Sequence, residues 1–255
     1  MLLAIDVGNT NTVVGAFDGR NLVEQFRLET HPHCTSDEWG LLCLLALRER
    51  GVEPERIRSV VVSSVVPPLQ HTLERTSTRY FGTRPLFVGP GVKTGMPILY
   101  DDPREVGADR IVNAVAAYER WPGPLIVVDF GTAITFDVVT RNGEYLGGAI
   151  TPGIRISVEA LSRNASRLPR VDLDRPSRAI GKNTVASMQS GILFGYASMV
   201  DGLCGRLARE LEGPTPKVVA TGGLAPLVAA VSEAISEVDE KLTLQGLRII
   251  FDRNR

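Results

Sequence analysis

The chain has 255 residues, 44% of them hydrophobic and 22% charged, an ordinary balance for a folded protein with one large domain or two small ones. Formal net charge is −1 and the 28 Lys and Arg are scattered, with no basic run to track phosphates, so no nucleic-acid partner is expected. No uncharged apolar run nears the about 18 residues that span a bilayer, and Met1-Leu2-Leu3-Ala4-Ile5-Asp6 lacks the basic start of a signal peptide; the expectation is a cytoplasmic protein with no membrane contact.

Three cysteines, Cys34, Cys43 and Cys204, form no CxxC pair, so neither a disulfide framework nor a zinc ribbon is indicated. His31-Pro32-His33-Cys34 has metal-ligating residue types, but Pro32 keeps the imidazoles on an extended loop, and a plain loop is the expectation.

In chain order, Leu2 to Asp6 reads as an apolar strand, Gly8-Asn9-Thr10 as a turn and Thr12 to Phe17 as a second strand. Ser36 to Arg50 should be a helix, with Ser36 as N-cap, acids in its first turn and Gly51 after its end. Ile57 to Val66 is rich in Val and Ile and stops at Pro67-Pro68. Leu69 to Tyr80 has helical spacing, Pro85 to Val88 is a short strand, and Gly89 to Pro97 is a Gly/Pro-rich loop. A helix is expected over Ala108 to Tyr118, with Pro122 and Pro124 marking a hand-over to the second half.

The second half repeats the opening plan. Leu125-Ile126-Val127-Val128 runs into Asp129, then Gly131-Thr132, then the β-rich stretch Ile134 to Val139, so that Asp6 and Asp129, and Gly8 and Gly131, lie 123 residues apart. Arg141-Asn142-Gly143 predicts a hairpin closed by a type I′ turn. Ile154 to Ser162 should be helical, Arg163 to Asn183 a polar loop, Thr184 to Glu212 a long helix, Lys217 to Ala220 a strand, Thr221-Gly222-Gly223 a turn, and Leu227 to Ser236 a helix. Alternating strands and helices, opened in each half by a hairpin, imply an α/β protein of two lobes, 1–118 and 119–255, with ligand expected in a cleft between them.

A phosphate chain with a divalent cation needs an acid near the metal, glycines that admit backbone N–H groups, and small hydroxyl or amide donors. Asp6-Val7-Gly8-Asn9-Thr10-Asn11-Thr12 and Asp129-Phe130-Gly131-Thr132 both offer these. Either alone also reads as a tight polar hairpin; the pair at equivalent strand ends points to nucleotide phosphates. Val218 to Leu224 has a Gly-Gly turn that admits a base or ribose, a weak signal by itself. GxxxxGK[ST], GxGxxG after a strand, and GxSxG are absent, and Asp129-Phe130-Gly131 lacks the other marks of a protein kinase. At Gly107-Ala108-Asp109-Arg110 a loop opens a helix. There Asp109 either favours the positive helix end or accepts a hydroxyl proton beside an anion-holding Arg110.

Together, Asp6 to Thr10, Ser36 to Trp39, Gly107 to Arg110, Asp129 to Ala133, Thr151-Pro152-Gly153, Asn183 to Gly191 and Leu242 to Leu247 resemble type III pantothenate kinase, in order and from the first strand to the C-terminus. The resemblance implies two ribonuclease-H-like, actin-like domains of the acetate kinase, sugar kinase, heat-shock and actin superfamily. It also implies ATP-dependent phosphorylation of pantothenate to 4′-phosphopantothenate, the first step of coenzyme A biosynthesis. By position, Asp6, Val7, Gly8, Asn9, Thr10, Asn11, Thr12 and Val13 would hold the ATP phosphates, with Asp6 serving Mg2+ directly or through water. Thr132 would contact ATP, and Asp129 would hold a monovalent cation, K+ or NH4+. Tyr100, Gly107, Ala108, Asp109, Arg110 and Thr184 would bind pantothenate, with Asp109 as catalytic base, Thr184 lying near the interface of a homodimer. The rival readings are another small-molecule kinase or phosphatase of the superfamily, acting on a sugar or short acid, and a non-catalytic regulator.

Overall fold

The computed structural model describes residues 1–255. It divides into two compact units, the first made of Met1–Gly95, Asp101–Ala116 and Leu242–Arg255, the second of Met96–Tyr100 and Ala117–Lys241. The units are therefore not the consecutive halves of a single cut at 118/119. Segment 96–100 joins the second unit because the Tyr145 N–H donates to the Pro97 carbonyl and the Leu99 N–H to that of Tyr145, both at 2.8 Å. The last helix returns to the first unit, where Leu244 packs on Gly15 and Gly246 lies against Val112.

In the first unit, β1 (Leu2–Val7), β2 (Asn11–Asp18), β3 (Asn21–Glu29), β4 (Ser59–Ser64) and β5 (Leu86–Phe87) form one sheet in the order β3-β2-β1-β4-β5. The pairs β1/β2 and β2/β3 are antiparallel, while β1/β4 and β4/β5 are parallel. Central strands β1 and β4 are buried nearly throughout, as their unbroken apolar text requires. Edge strand β3 has a mostly exposed alternating pattern and no counterpart in the elements expected above. Helices α1 (Ser36–Glu49) and α2 (Gln70–Phe81) cover one face. There Trp39, Cys43, Leu47, Leu69 and Leu73 join Leu3, Ile5, Val7, Val60 and Val62 in the core. The N-cap of α1 is Thr35, one residue before the expected Ser36: its hydroxyl accepts from the Glu38 N–H while the Glu38 carboxylate accepts from the Thr35 N–H, a complete capping box. Helix α3 (Ala108–Arg120) follows the loop.

The second unit repeats the plan. β6 (Leu125–Phe130), β7 (Ala133–Val139), β8 (Tyr145–Pro152), β9 (Lys217–Thr221) and β10 (Glu237–Val238) form a sheet in the order β10-β9-β6-β7-β8. Matching β1 to β6, β2 to β7 and so on reproduces every neighbour and every direction. Helices α4 (Ile154–Asn164), α5 (Thr184–Glu210) and α6 (Ala225–Ala229) supply Ile154, Val158, Leu193, Ala197, Val200, Cys204 and Val228 to its core. Helix α7 (Leu242–Arg253) closes the chain.

Two local expectations change. The β7/β8 turn is not type I′, because no non-glycine residue has positive φ, so Asn142 does not take the left-handed conformation that turn needs. Instead the Gly143 N–H donates to the Thr140 carbonyl and the Thr140 N–H to Glu144, with only Gly143 at φ 81°: a three-residue loop with a left-handed glycine. Helix α6 is five residues long and stops well short of Ser236. Past its end the Asp201 carboxylate accepts from the Ser232 hydroxyl and the N–H groups of Glu233 and Ala234, so those amides are spent on a side chain, not on a helix.

Candidate active site

In the first unit, Asp6 lies at the C-terminal end of β1, half-buried, and is followed by half-buried Gly8 and exposed Asn9 and Thr10. The Gly8 N–H donates to the Asn11 carbonyl at 3.0 Å and closes the turn. A Cβ at Gly8 would stand 3.1 Å from that carbonyl, so the tight turn favours glycine. Thr12 and Val13 already belong to β2. Thr12 is fully buried and shares a 2.9 Å hydroxyl–hydroxyl bond with Thr30, which ties the base of the turn to the end of β3.

The same unit carries Gly107-Ala108-Asp109-Arg110 at the start of α3. The Arg110 and Ile111 N–H groups donate to the Gly107 carbonyl, and the Arg110 N–H also donates to Asp109 Oδ1 at 2.9 Å. A Cβ on Gly107 would lie 2.5 Å from the Asp109 carboxylate, so glycine here leaves room for that side chain. Burial pushes the Asp109 carboxyl above its ordinary range, against the opposing pull of the Arg110 N–H and the neighbouring Arg110 guanidinium. A carboxylate made more basic this way, with a buried arginine next to it, suits proton acceptance beside an anionic substrate.

In the second unit, Asp129 ends β6 as Asp6 ends β1, and the Gly131 N–H closes the turn on the Ala133 carbonyl at 3.1 Å. Two glycines press on this turn. A Cβ on Gly222, at φ 92°, would stand 2.7 Å from Asp129 Oδ1, and a Cβ on Gly153 would run into the Thr132 carbonyl. The Thr221-Gly222-Gly223 turn thus packs on the second carboxylate. Tyr100 stands beside Tyr145 with ring centroids 6.4 Å apart and lies over Gly147. Tyr145 is fully buried and donates to Asp137 Oδ1, while the Thr135 hydroxyl donates to Asp137 Oδ2. Thr184 is exposed at the start of α5, whose N-terminus is capped by Asn183 through the Ala186 N–H. It lines a cavity of about 970 Å³ between α4 and α5 with Lys182, Met188, Tyr196 and Met199, a wall that includes neither Tyr100 nor Thr132.

Comparison with known proteins decides the family. A family model described as type III pantothenate kinase matches residues 2–206. The chain belongs to the type III pantothenate kinase family. Type III pantothenate kinases of Myxococcus xanthus and Anaeromyxobacter sp. strain K are similar to it at 64% and 62% identity, covering all of this chain and 99% and 100% of theirs. A ROK hexokinase from Thermus thermophilus shares the fold, with a TM-score of 0.54 at 16% identity over all of this chain and 99% of that one. The two mixed sheets of this pantothenate kinase family member match the expected actin-like, sugar-kinase-type architecture.

Sequence reading assigned no role to Ser63 and placed Gly153, Thr221 and Gly222 in motifs without tying them to the Asp129 turn. Gly153 and Gly222 buttress the Asp129 turn, and the hydroxyls of Ser63 and Thr221 stand in register with Asp6 and Asp129 on the neighbouring parallel strands. The signal was present: Val60-Val61-Val62-Ser63 and Val218-Val219-Ala220-Thr221 both end an apolar strand in a hydroxyl.

Proposed function

We propose that the chain transfers the γ-phosphoryl group of ATP to the primary hydroxyl of pantothenate, with Asp109 as the base. As a family member it is a pantothenate kinase, and its reaction opens coenzyme A biosynthesis. The observation that carries the finer reading is the repeat of one carboxylate-bearing turn at the same strand end of two sheets of the same order.

In this reading the backbone and small polar side chains from Asp6 to Val13 hold the ATP phosphates, and Thr132 contacts ATP. Thr12 and Val13 act by anchoring the turn, since both pair with β1 and β3 and the Thr12 hydroxyl is engaged with Thr30. No group of three or more His, Cys, Asp or Glu converges as a metal cage. Mg2+ does not need one, because it keeps water and phosphate oxygens among its ligands, and the half-buried Asp6 carboxylate suits its hard-oxygen preference. Asp129, with its carboxylate wedged against Gly222, would hold K+ or NH4+. When bound, the cations offset phosphate charge.

Phosphoryl transfer needs positioning and charge neutralisation more than covalent help. Gly107 to Arg110 and Tyr100 orient pantothenate, Arg110 faces its anionic end, Asp109 takes the hydroxyl proton, and Thr184 adds a contact. A homodimer is part of this reading, supported by the exposed Ile156 and Leu161 on α4, Ile180 ahead of α5 and Val185 on it. Cytoplasmic location accompanies it; no helix is long and apolar enough to cross a membrane.

A coupled kinase assay tests the proposal. Pantothenate should be strongly preferred over sugars and short acids, and turnover should be high in KCl or NH4Cl and low in NaCl. Equal turnover in sodium removes the cation role of Asp129, and preference for a sugar acceptor removes the substrate assignment.

A further inference from the structure

Ser63, the penultimate residue of β4, is fully buried, and its Oγ has no hydrogen-bond partner within the chain. The preceding Val60-Val61-Val62 is buried and apolar, so alanine or valine at 63 would continue the strand without stranding a hydroxyl. A buried hydroxyl left unsatisfied is unfavourable and calls for a partner within its reach.

The register supplies the direction. Ser63 pairs with Asp6 across parallel strands β4 and β1, which puts both side chains on one face of the sheet. It is the face away from the core, since Ile5, Val7 and Val62 point the other way. The second unit does the same: Thr221, 2% exposed, pairs with Asp129 across β9 and β6. Two separately encoded strand pairs each set a buried hydroxyl beside the carboxylate that ends the central strand.

We propose that Ser63 is a positioning residue whose hydroxyl donates to the Asp6 carboxylate when nucleotide binds, fixing which oxygen faces the phosphates and their metal ion. The inference rests on the assignment of Asp6 to the nucleotide. An ionised carboxylate offers several acceptor sites on two oxygens. A donor on one of them orients the other, the usual work of a residue behind a metal-facing ligand.

The test measures binding and stability together. Ser63→Ala is expected to melt, without ligand, at the wild-type temperature or above, because it removes an unsatisfied group. It should bind ADP with Mg2+ about tenfold to a hundredfold more weakly by calorimetry, bind pantothenate as wild type, and lose kcat. Ser63→Thr, which copies Thr221, should recover most of the nucleotide affinity. Wild-type affinity for Mg-ADP in Ser63→Ala overturns the inference, as does a matching loss in a well-folded Ser63→Thr, or a fall in melting temperature that tracks the affinity loss. Asp6→Asn separates the two levels: if it too binds Mg-ADP normally, the assignment of Asp6 fails, whereas its loss beside an intact Ser63→Ala sinks the role of Ser63 alone.

Discussion

Gly222 leaves the Asp129 carboxylate its place: a Cβ on this residue would stand 2.7 Å from Asp129 Oδ1 and 2.8 Å from the Phe130 nitrogen. The backbone there, at φ 92°, is one that side chains other than hydrogen rarely adopt. Gly222→Ala should therefore move the carboxylate or twist the turn. If Asp129 holds a monovalent cation, the KCl concentration for half-maximal turnover rises at least tenfold, while KM for pantothenate changes less than twofold. Initial rates against KCl, at saturating pantothenate, measure this. An unchanged KCl curve in a folded variant detaches Asp129 from the cation.

If Asp109 is the base, it ties activity and stability to pH in opposite senses. Burial raises its carboxyl pKa above the ordinary 3.8, so the neutral form is favoured in the fold. Its contribution to stability is complete below the unfolded value and is lost as pH rises through the folded value. At pH 8 the charged, partly desolvated carboxylate destabilises the protein. Asp109→Asn should then melt above wild type at pH 8, the gain shrinking towards pH 4, and should lose about a hundredfold or more in kcat. Wild-type kcat/KM should fall on the acid side through the same raised pKa. Melting curves and rate profiles of both proteins check this. A variant with near-normal turnover removes Asp109 from the base role.

Much of this was legible in the chain, and the reasons for the rest are local. The duplicated strand, Asp-Gly turn and strand were visible because an apolar run ending in an acid leaves a mark at fixed spacing, and both sheets carry it. Strand β3 was not visible: its outward residues other than Val23 are polar, and it is held by pairing to β2 more than by burial of its own. The α1 cap moved from Ser36 to Thr35 because the capping box needs its acid three residues on, and Glu38 stands at that distance from Thr35. Asp201 shortened α6 from 31 residues or more away in sequence, which no local pattern records. The return of α7 to the first unit likewise depends on long-range fit, Leu244 on Gly15 and Gly246 on Val112. Ser63 read as a strand residue and Thr221 as the start of a turn until register placed them beside the two acids.

The Tyr145 hydroxyl is one of two donors named above for the buried Asp137 carboxylate, and its ring stands beside Tyr100. Tyr145→Phe keeps the ring and removes the donor, leaving one oxygen of a buried carboxylate short of a bond. A loss of about 1–3 kcal/mol in unfolding free energy is expected, the usual cost of such a gap. With the ring retained, KM for pantothenate should stay within about threefold of wild type, whereas Tyr145→Ala, which also withdraws support from Tyr100, should raise it further. Urea unfolding followed by tryptophan fluorescence, beside steady-state kinetics, distinguishes the two effects. Equal stability of Tyr145→Phe and wild type would mean that Asp137 draws little from the tyrosine.

The three cysteines should respond to thiol reagents in two classes. Cys43 is fully buried in the first core and Cys204 is 2% exposed in the second. Burial drives both thiols up, Cys204 to about 12, with the Asp201 carboxylate adding to the effect there. At pH 8 neither has an appreciable thiolate fraction or a path to reagent. Cys34 is half-buried, and its thiol is raised by burial first and by the Glu38 carboxylate second. One thiol per chain should therefore react with Ellman's reagent in the native protein, more slowly than free cysteine, and three in denaturant. Cys34→Ser should abolish the native signal and leave two in denaturant; a native count of two or more in wild type would place a second thiol outside the cores.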